Sequence, residues 1–144
     1  MAEDYKAIVQ KIIDLLKANT NLSEPSSIRK WYFGIPVKPI GYPFGYVQWN
    51  GRNPASGRHS FGRFHYDLSF EIGISDRSVN EDDAEKSVYD KIGYVEDVLN
   101  SNPTLGGLVE SEPQPREITI QHISLQDYAV AVARIFHHTR KWIP

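Results

Sequence analysis

An α+β fold, with a mainly antiparallel sheet and two helices packed on one of its faces, is predicted by three observations. Two segments repeat apolar residues at three- and four-residue steps, which is helical periodicity. A third segment, "FHYDLSFEIGIS" (residues 64–75), alternates apolar and polar residues without a break, which is strand periodicity with one face toward a core. The elements follow one another as helix, strand, long strand, helix, strand, strand, and helices segregated from runs of strands belong to that class.

The first helix lies in "EDYKAIVQKIIDLLKAN". Tyr5, Ile8, Val9, Ile12, Leu15 and Leu16 form its apolar stripe, and Glu3 and Asp4 sit where the helix dipole favours anions. From Asn19 to Pro43 the chain is rich in Asn, Ser, Pro and Gly, with Pro at 36, 39 and 43. Each Pro removes a backbone donor and restricts its neighbour, so this is an extended linking segment pinned by aromatic residues, leading into a strand at 44–49. "NGRNPASGRHSFGR" (residues 50–63) holds three Gly, one Pro and three Arg, with little apolar side chain to anchor it, and is expected to be a long, mobile hairpin loop between the first two strands.

In the long strand Phe64, Tyr66, Leu68, Phe70, Ile72 and Ile74 face the core, while His65, Asp67, Ser69, Glu71, Gly73 and Ser75 face solvent or a partner. Asn80 caps the second helix, whose first turn is Glu81, Asp82 and Asp83 and whose stripe is Ala84, Val88, Ile92, Val95 and Leu99. Pro103 forbids helical geometry at Asn102, so the helix ends near Asn100. The exit, "LNSNPTLGGLVES" (residues 99–111), combines turn residues with Leu105, Leu108 and Val109; a free loop needs no aliphatic side chains, so this is a shaped corner returning the chain to the sheet. "REITIQHI" and "DYAVAVARIFHHTR" complete the sheet, and the second, apolar on both faces through residues 129–133, should be central. Phe64, Leu68, Phe70, Ile72, Val88, Ile92, Val95 and Val132 are the expected core.

Composition narrows the function. A chain of 144 residues is read as one domain, residues 1–144, and can bury roughly 68–70% of its unfolded surface. With 40% hydrophobic and 24% charged residues it has the balance of a soluble globular protein, and a net charge of −2 is less basic than a general nucleic-acid binder. Cys is absent, which removes disulfides, thiol nucleophiles and cysteine-based zinc sites. The amphipathic N-terminus lacks a signal-peptide core and no run reaches membrane-spanning length, so synthesis in a host cytoplasm and no membrane partner are expected.

Candidate chemistry is sparse. His59, His65, His122, His137 and His138 could be offered as metal ligands, but adjacent strand residues point to opposite faces, so 137 and 138 cannot share a site without distortion. Asp67 and Glu71 share a face about 13 Å apart, too far for a catalytic carboxylate pair. No G-x-S-x-G elbow and no P-loop occurs, and Gly106-Gly107 follows a helix where a P-loop would precede one. No catalytic residue, no metal, no cofactor and no enzymatic activity are therefore expected. Arg52, Arg58, His59 and Arg63 with Phe61 could grip a nucleic-acid backbone, or form a solvated loop.

The order of elements, the "YFGIP" segment leading to "YPFGYVQW", the basic loop, the acid-capped helix closing in "VEDVLNSNPTLGGLV" (residues 95–109) and the Ala/Val-rich last strand together resemble the tail terminator and tail completion, or head-tail joining, proteins of long-tailed phages. The resemblance spans nearly the whole chain. It implies a structural virion protein that forms a ring, commonly a hexamer, at the head-proximal end of the tail tube, ending tube polymerisation and offering a surface for head attachment. Implied partners are further copies of the chain, the tail tube protein and a head connector or neck protein, with DNA passing through the channel unbound. Interface candidates are Arg52, Arg58, His59, Phe61, Arg63, Asp67, Glu71, Arg140 and Trp142, with Asp67 and Glu71 as an acidic lining that limits DNA adhesion. A head-completion or neck connector role, and a single-stranded nucleic-acid-binding module, remain as alternatives.

Overall fold

The computed structural model describes residues 5–22, 28–39, 41–60, 63–110, 115–124 and 126–143, with side chains throughout except at 55–60 and 63. Helices α1 (Tyr5–Ala18) and α2 (Glu81–Ser101) accompany five strands: β1 (Lys30–Phe33), β2 (Phe44–Ser60), β3 (Arg63–Ser78), β4 (Glu117–Ser124) and β5 (Ala129–Ile143). The strands form one sheet in the order β1-β2-β3-β5-β4, in which only the β1–β2 pair is parallel. β5 is interior, as its two-sided apolar pattern predicts.

Both helices lie on the same face. Ile8, Val9, Ile12, Ile13 and Leu16 of α1 and Val95, Val98 and Leu99 of α2 share one core with Val47, Leu68, Phe70, Ile72, Ile74 and Ile135. Alternation along β3 therefore sets the register as expected: Leu68, Phe70, Ile72 and Ile74 are fully buried beneath the helices. Burying each such side chain stabilises by roughly 1.5–3 kcal/mol. Asn80 caps α2 by accepting a hydrogen bond from the Asp82 amide at 2.8 Å. Of the expected core, Phe64 is 57% exposed, and Ile92 and Val132 are only half-buried. Phe64 lies beyond the helices' cover, and Val132, opposite Ser75, points to the other face.

Two features differ in extent from the sequence reading. The linking segment contains a strand, β1, which Trp31 holds in place: its ring lies across Gly45, where an added Cβ would come within 2.4 Å of it, and its Nε1 donates to the Leu22 carbonyl at 2.9 Å. The expected hairpin loop is largely strand as well, since β2 continues to Ser60 and pairs with β3 from Arg63, with register shifts after Trp49 and after Pro54. Only residues 61 and 62 separate the two arms, and they lie outside the described residues, as do the side chains of 55–60 and 63.

The corner after α2 is built on left-handed backbone. Leu105, Gly106 and Gly107 have φ of 50°, 72° and 88°. A non-glycine residue there costs about 1–2 kcal/mol, and full burial of Leu105 offsets it. Thr104 closes the turn by accepting the amides of Gly107 and Val109 through its carbonyl. Leu105 and Val109 enter the core and Leu108 packs against it; Glu110 then pairs with Arg140 of β5.

Candidate assembly surfaces

The sheet has a helix-covered face and a bare face, and the bare face carries the polar half of β3. Strand pairing sets Asp67 opposite Arg140, Ser69 opposite His138 and His65 opposite Trp142. Each pair is used within the chain. Arg140 Nε lies 2.6 Å from Asp67 Oδ1, Ser69 Oγ is 3.0 Å from His138 Nδ1, and the His65 and Trp142 rings stack with centroids 4.5 Å apart. His65 Nε2 also meets Glu110 Oε2 at 2.5 Å, which ties the corner after α2 to the bare face. Further down, the Tyr46 ring covers Gly73 and its hydroxyl donates to Glu71, leaving Glu71 only 8% exposed. Burial pushes the Tyr46 phenol well above its usual pKa, and the Glu71 carboxylate adds to the rise.

Asp67, Arg140 and Trp142, candidates from the sequence, thus gather in one cluster, to which the structure adds His65 and Glu110. Glu71 shares their face but is engaged beneath Tyr46. Arg52 belongs to the opposite face: its Nη1 donates to the Tyr5 hydroxyl at 2.9 Å and its guanidinium lies 4.0 Å from the centre of the Tyr66 ring. Tyr5 in turn stacks on Trp49 at 3.9 Å. Phe61 lies outside the described residues. Arg58, His59 and Arg63 are placed in the hairpin arms by their backbone, with side chains outside the described part.

The histidines separate as strand geometry requires. His138 is on the bare face, while His137 is buried on the helix face, where Arg116 Nε donates to its Nδ1 at 3.1 Å. Burial lowers the His137 pKa to about 4, with the charges of Arg116 and His138 contributing. Among the described residues no three His, Asp or Glu side chains converge as a metal site, and no described helix is long and apolar enough to cross a membrane.

Two further surfaces were not legible beforehand. Beside α1, a cavity of about 270 Å³ is lined by Tyr5, Lys6, Val9, Phe33, Val47 and Trp49, and Phe33 at its edge is 57% exposed. At the other end of the sheet, β4 is exposed along most of its length, including Ile120 and Ile123. Only the pairing of β1 with β2, a contact between distant segments, creates the first, and only the strand order makes β4 terminal.

Neither a family model nor a curated protein matches the sequence. Among solved structures, a chain of the virion of a native gene transfer agent particle is similar at 12% sequence identity and a TM-score of 0.48, over 96% of this chain and all of that one. At that identity and score it is a loose likeness of chain path and bears no weight on function.

Proposed function

We propose that this chain is a structural virion protein of a phage-like particle that assembles into a ring at the head-proximal end of the tail, where it ends tube growth and presents a surface to the head. The observation that carries this reading is the asymmetry of the sheet. One face is sealed by two helices, and the other carries no helix and holds polar groups engaged with one another, Asp67–Arg140, Ser69–His138 and Tyr46–Glu71. Such a face suits the wall of a channel through which a polyanion slides, because internally paired charges leave little net attraction for phosphate. The sequence resemblance points the same way. The long β2–β3 hairpin, with Arg58, His59, Phe61 and Arg63 near its tip, is the part we assign to the tail tube or a neighbouring subunit.

The nucleic-acid-binding alternative is weakened by Arg52, which is spent on Tyr5 and Tyr66. Native mass measurement with electron microscopy tests the ring. Species at a fixed multiple of 16.4 kDa with a central channel are expected, together with binding to tail tubes and a Kd for single-stranded DNA too weak to measure at physiological salt. A protein that stays monomeric and binds DNA with a steep salt dependence would overturn the proposal.

A further inference from the structure

We propose that successive copies of this chain join side by side, with the β4–α2 flank of one copy seated on the α1–β1 flank of the next and the exposed Ile120 docking beside Phe33 at the edge of the cavity next to α1. This rests on the ring reading and specifies its seam. Three observations carry it.

The flanks are the two ends of a single sheet, so a contact between them is heterologous and repeats from copy to copy, which is what a closed ring requires. Their heights also agree. Through the strand register, Ile118 is level with Ile135, Ile72 and Val47, and Ile120 with Ala133, Ile74 and Gly45. Val47 lines the cavity, and Ile118 at its level packs against its own core, so the exposed Ile120, one same-face step along β4, is the isoleucine that reaches the cavity edge when copies sit side by side.

The charges agree as well. α2 carries seven acidic residues against two lysines, and α1 three lysines against one aspartate. The carboxylates of α2 that reach the β4 flank are identified by their contacts: Glu81 with Ser124, Glu85 with His122 and Glu96 with Arg116. On the receiving flank Lys6 is exposed at the cavity rim. A seam of this kind therefore sets an acidic helix beside a basic one. A two-fold contact of β4 with β4 would instead bring two acidic helices together, and like charges across an interface disfavour it.

Ile120→Asp and Phe33→Asp, both at exposed positions, test the seam in the full chain, with circular dichroism as the check on folding. Each variant alone should lose rings, while an equimolar mixture should yield heterodimers, because each partner keeps one intact flank. Phe33→Asp that still self-associates while Ile120→Asp does not would show two-fold docking through β4 and overturn the seam. Rings that persist in both variants overturn the seam and leave the ring standing. A wild-type protein monomeric at every concentration overturns both.

Discussion

The Tyr46 ring lies against Gly73 so closely that a Cβ on Gly73 would come 2.0 Å from Tyr46 Cε1. The glycine is what lets the tyrosine lie flat across β3 and reach Glu71. Gly73→Ala should therefore destabilise by about 1–3 kcal/mol through overpacking. Combined with Tyr46→Ala, it should cost clearly less than the sum of the two changes, since the clash is then gone. Urea denaturation of the four proteins measures this, and additivity would refute the contact.

A pH dependence follows from His137. Its pKa is lowered from 6.5 to about 4 in the fold, so between those values the unfolded chain takes up a proton that the native protein refuses. Stability contributed by keeping the ring neutral is present above pH 6.5 and is lost as pH falls toward 4, by about 3 kcal/mol at most. Protonating Nδ1 would also break the bond donated by Arg116. The difference in stability between wild type and His137→Gln, followed from pH 7.5 to 4, should decline across this window, and a flat difference would contradict the assignment.

The cap of α2 gives a local test. Asn80→Ala removes the acceptor of the Asp82 amide and should cost about 1 kcal/mol, whereas Asn80→Ser should be nearly neutral. Equal losses in the two variants, measured by thermal unfolding, would mean that Asn80 acts by something other than capping.

What the sequence revealed was whatever has a local period. The stripe of α2 from Ala84 to Leu99 and the alternation from Leu68 to Ile74 each declare an element and a buried face without reference to any partner. β1 was hidden because its four residues sit among prolines and glycines, and its pairing depends on Phe44–Val47 more than ten residues away. The arms of the hairpin were hidden for a related reason: Gly, Asn and Arg give residues 50–60 no apolar period, and the strand exists because β3 supplies hydrogen-bond partners. Period also says which face a residue takes but not where the cover ends, so Phe64 was expected in the core and is 57% exposed. Of the candidate site, Asp67 and Arg140 could be put on strands while Trp142 fell beyond the expected end of the last strand, which runs on to Ile143, and their meeting with His65 and Glu110 depends on the β3–β5 register.

The corner after α2 should be sensitive in two distinct ways. Leu105→Ala removes a fully buried side chain and should cost about 2–5 kcal/mol. Gly107→Ala places a Cβ in open space but at φ 88°, so only backbone strain of about 1–2 kcal/mol is expected. A Gly107→Ala loss as large as that of Leu105→Ala would mean that the corner is set by something other than backbone conformation.

Arg52 separates an intramolecular role from an interfacial one. The sequence suggests an arginine in a free loop, available to acidic groups on a neighbour. In the structure it fastens the base of the hairpin to α1, through the Tyr5 hydroxyl on one side and the Tyr66 ring on the other, while Tyr5 stacks on Trp49. A cation over an exposed aromatic ring contributes about 0.5–1 kcal/mol, and a net hydrogen bond about as much, so Arg52→Ala should lower stability by roughly 1–2 kcal/mol under conditions where the protein is monomeric. Tyr5→Phe should remove the hydrogen bond and keep the stack, and the cycle with Arg52→Ala should return a coupling of about 0.5–1.5 kcal/mol. Lysine at position 52 should recover little, because an ammonium cannot lie flat on Tyr66 and reach Tyr5 at once. If Arg52→Ala leaves monomer stability unchanged but abolishes assembly, Arg52 acts across an interface and the hairpin base is held by Tyr5 and Trp49 alone.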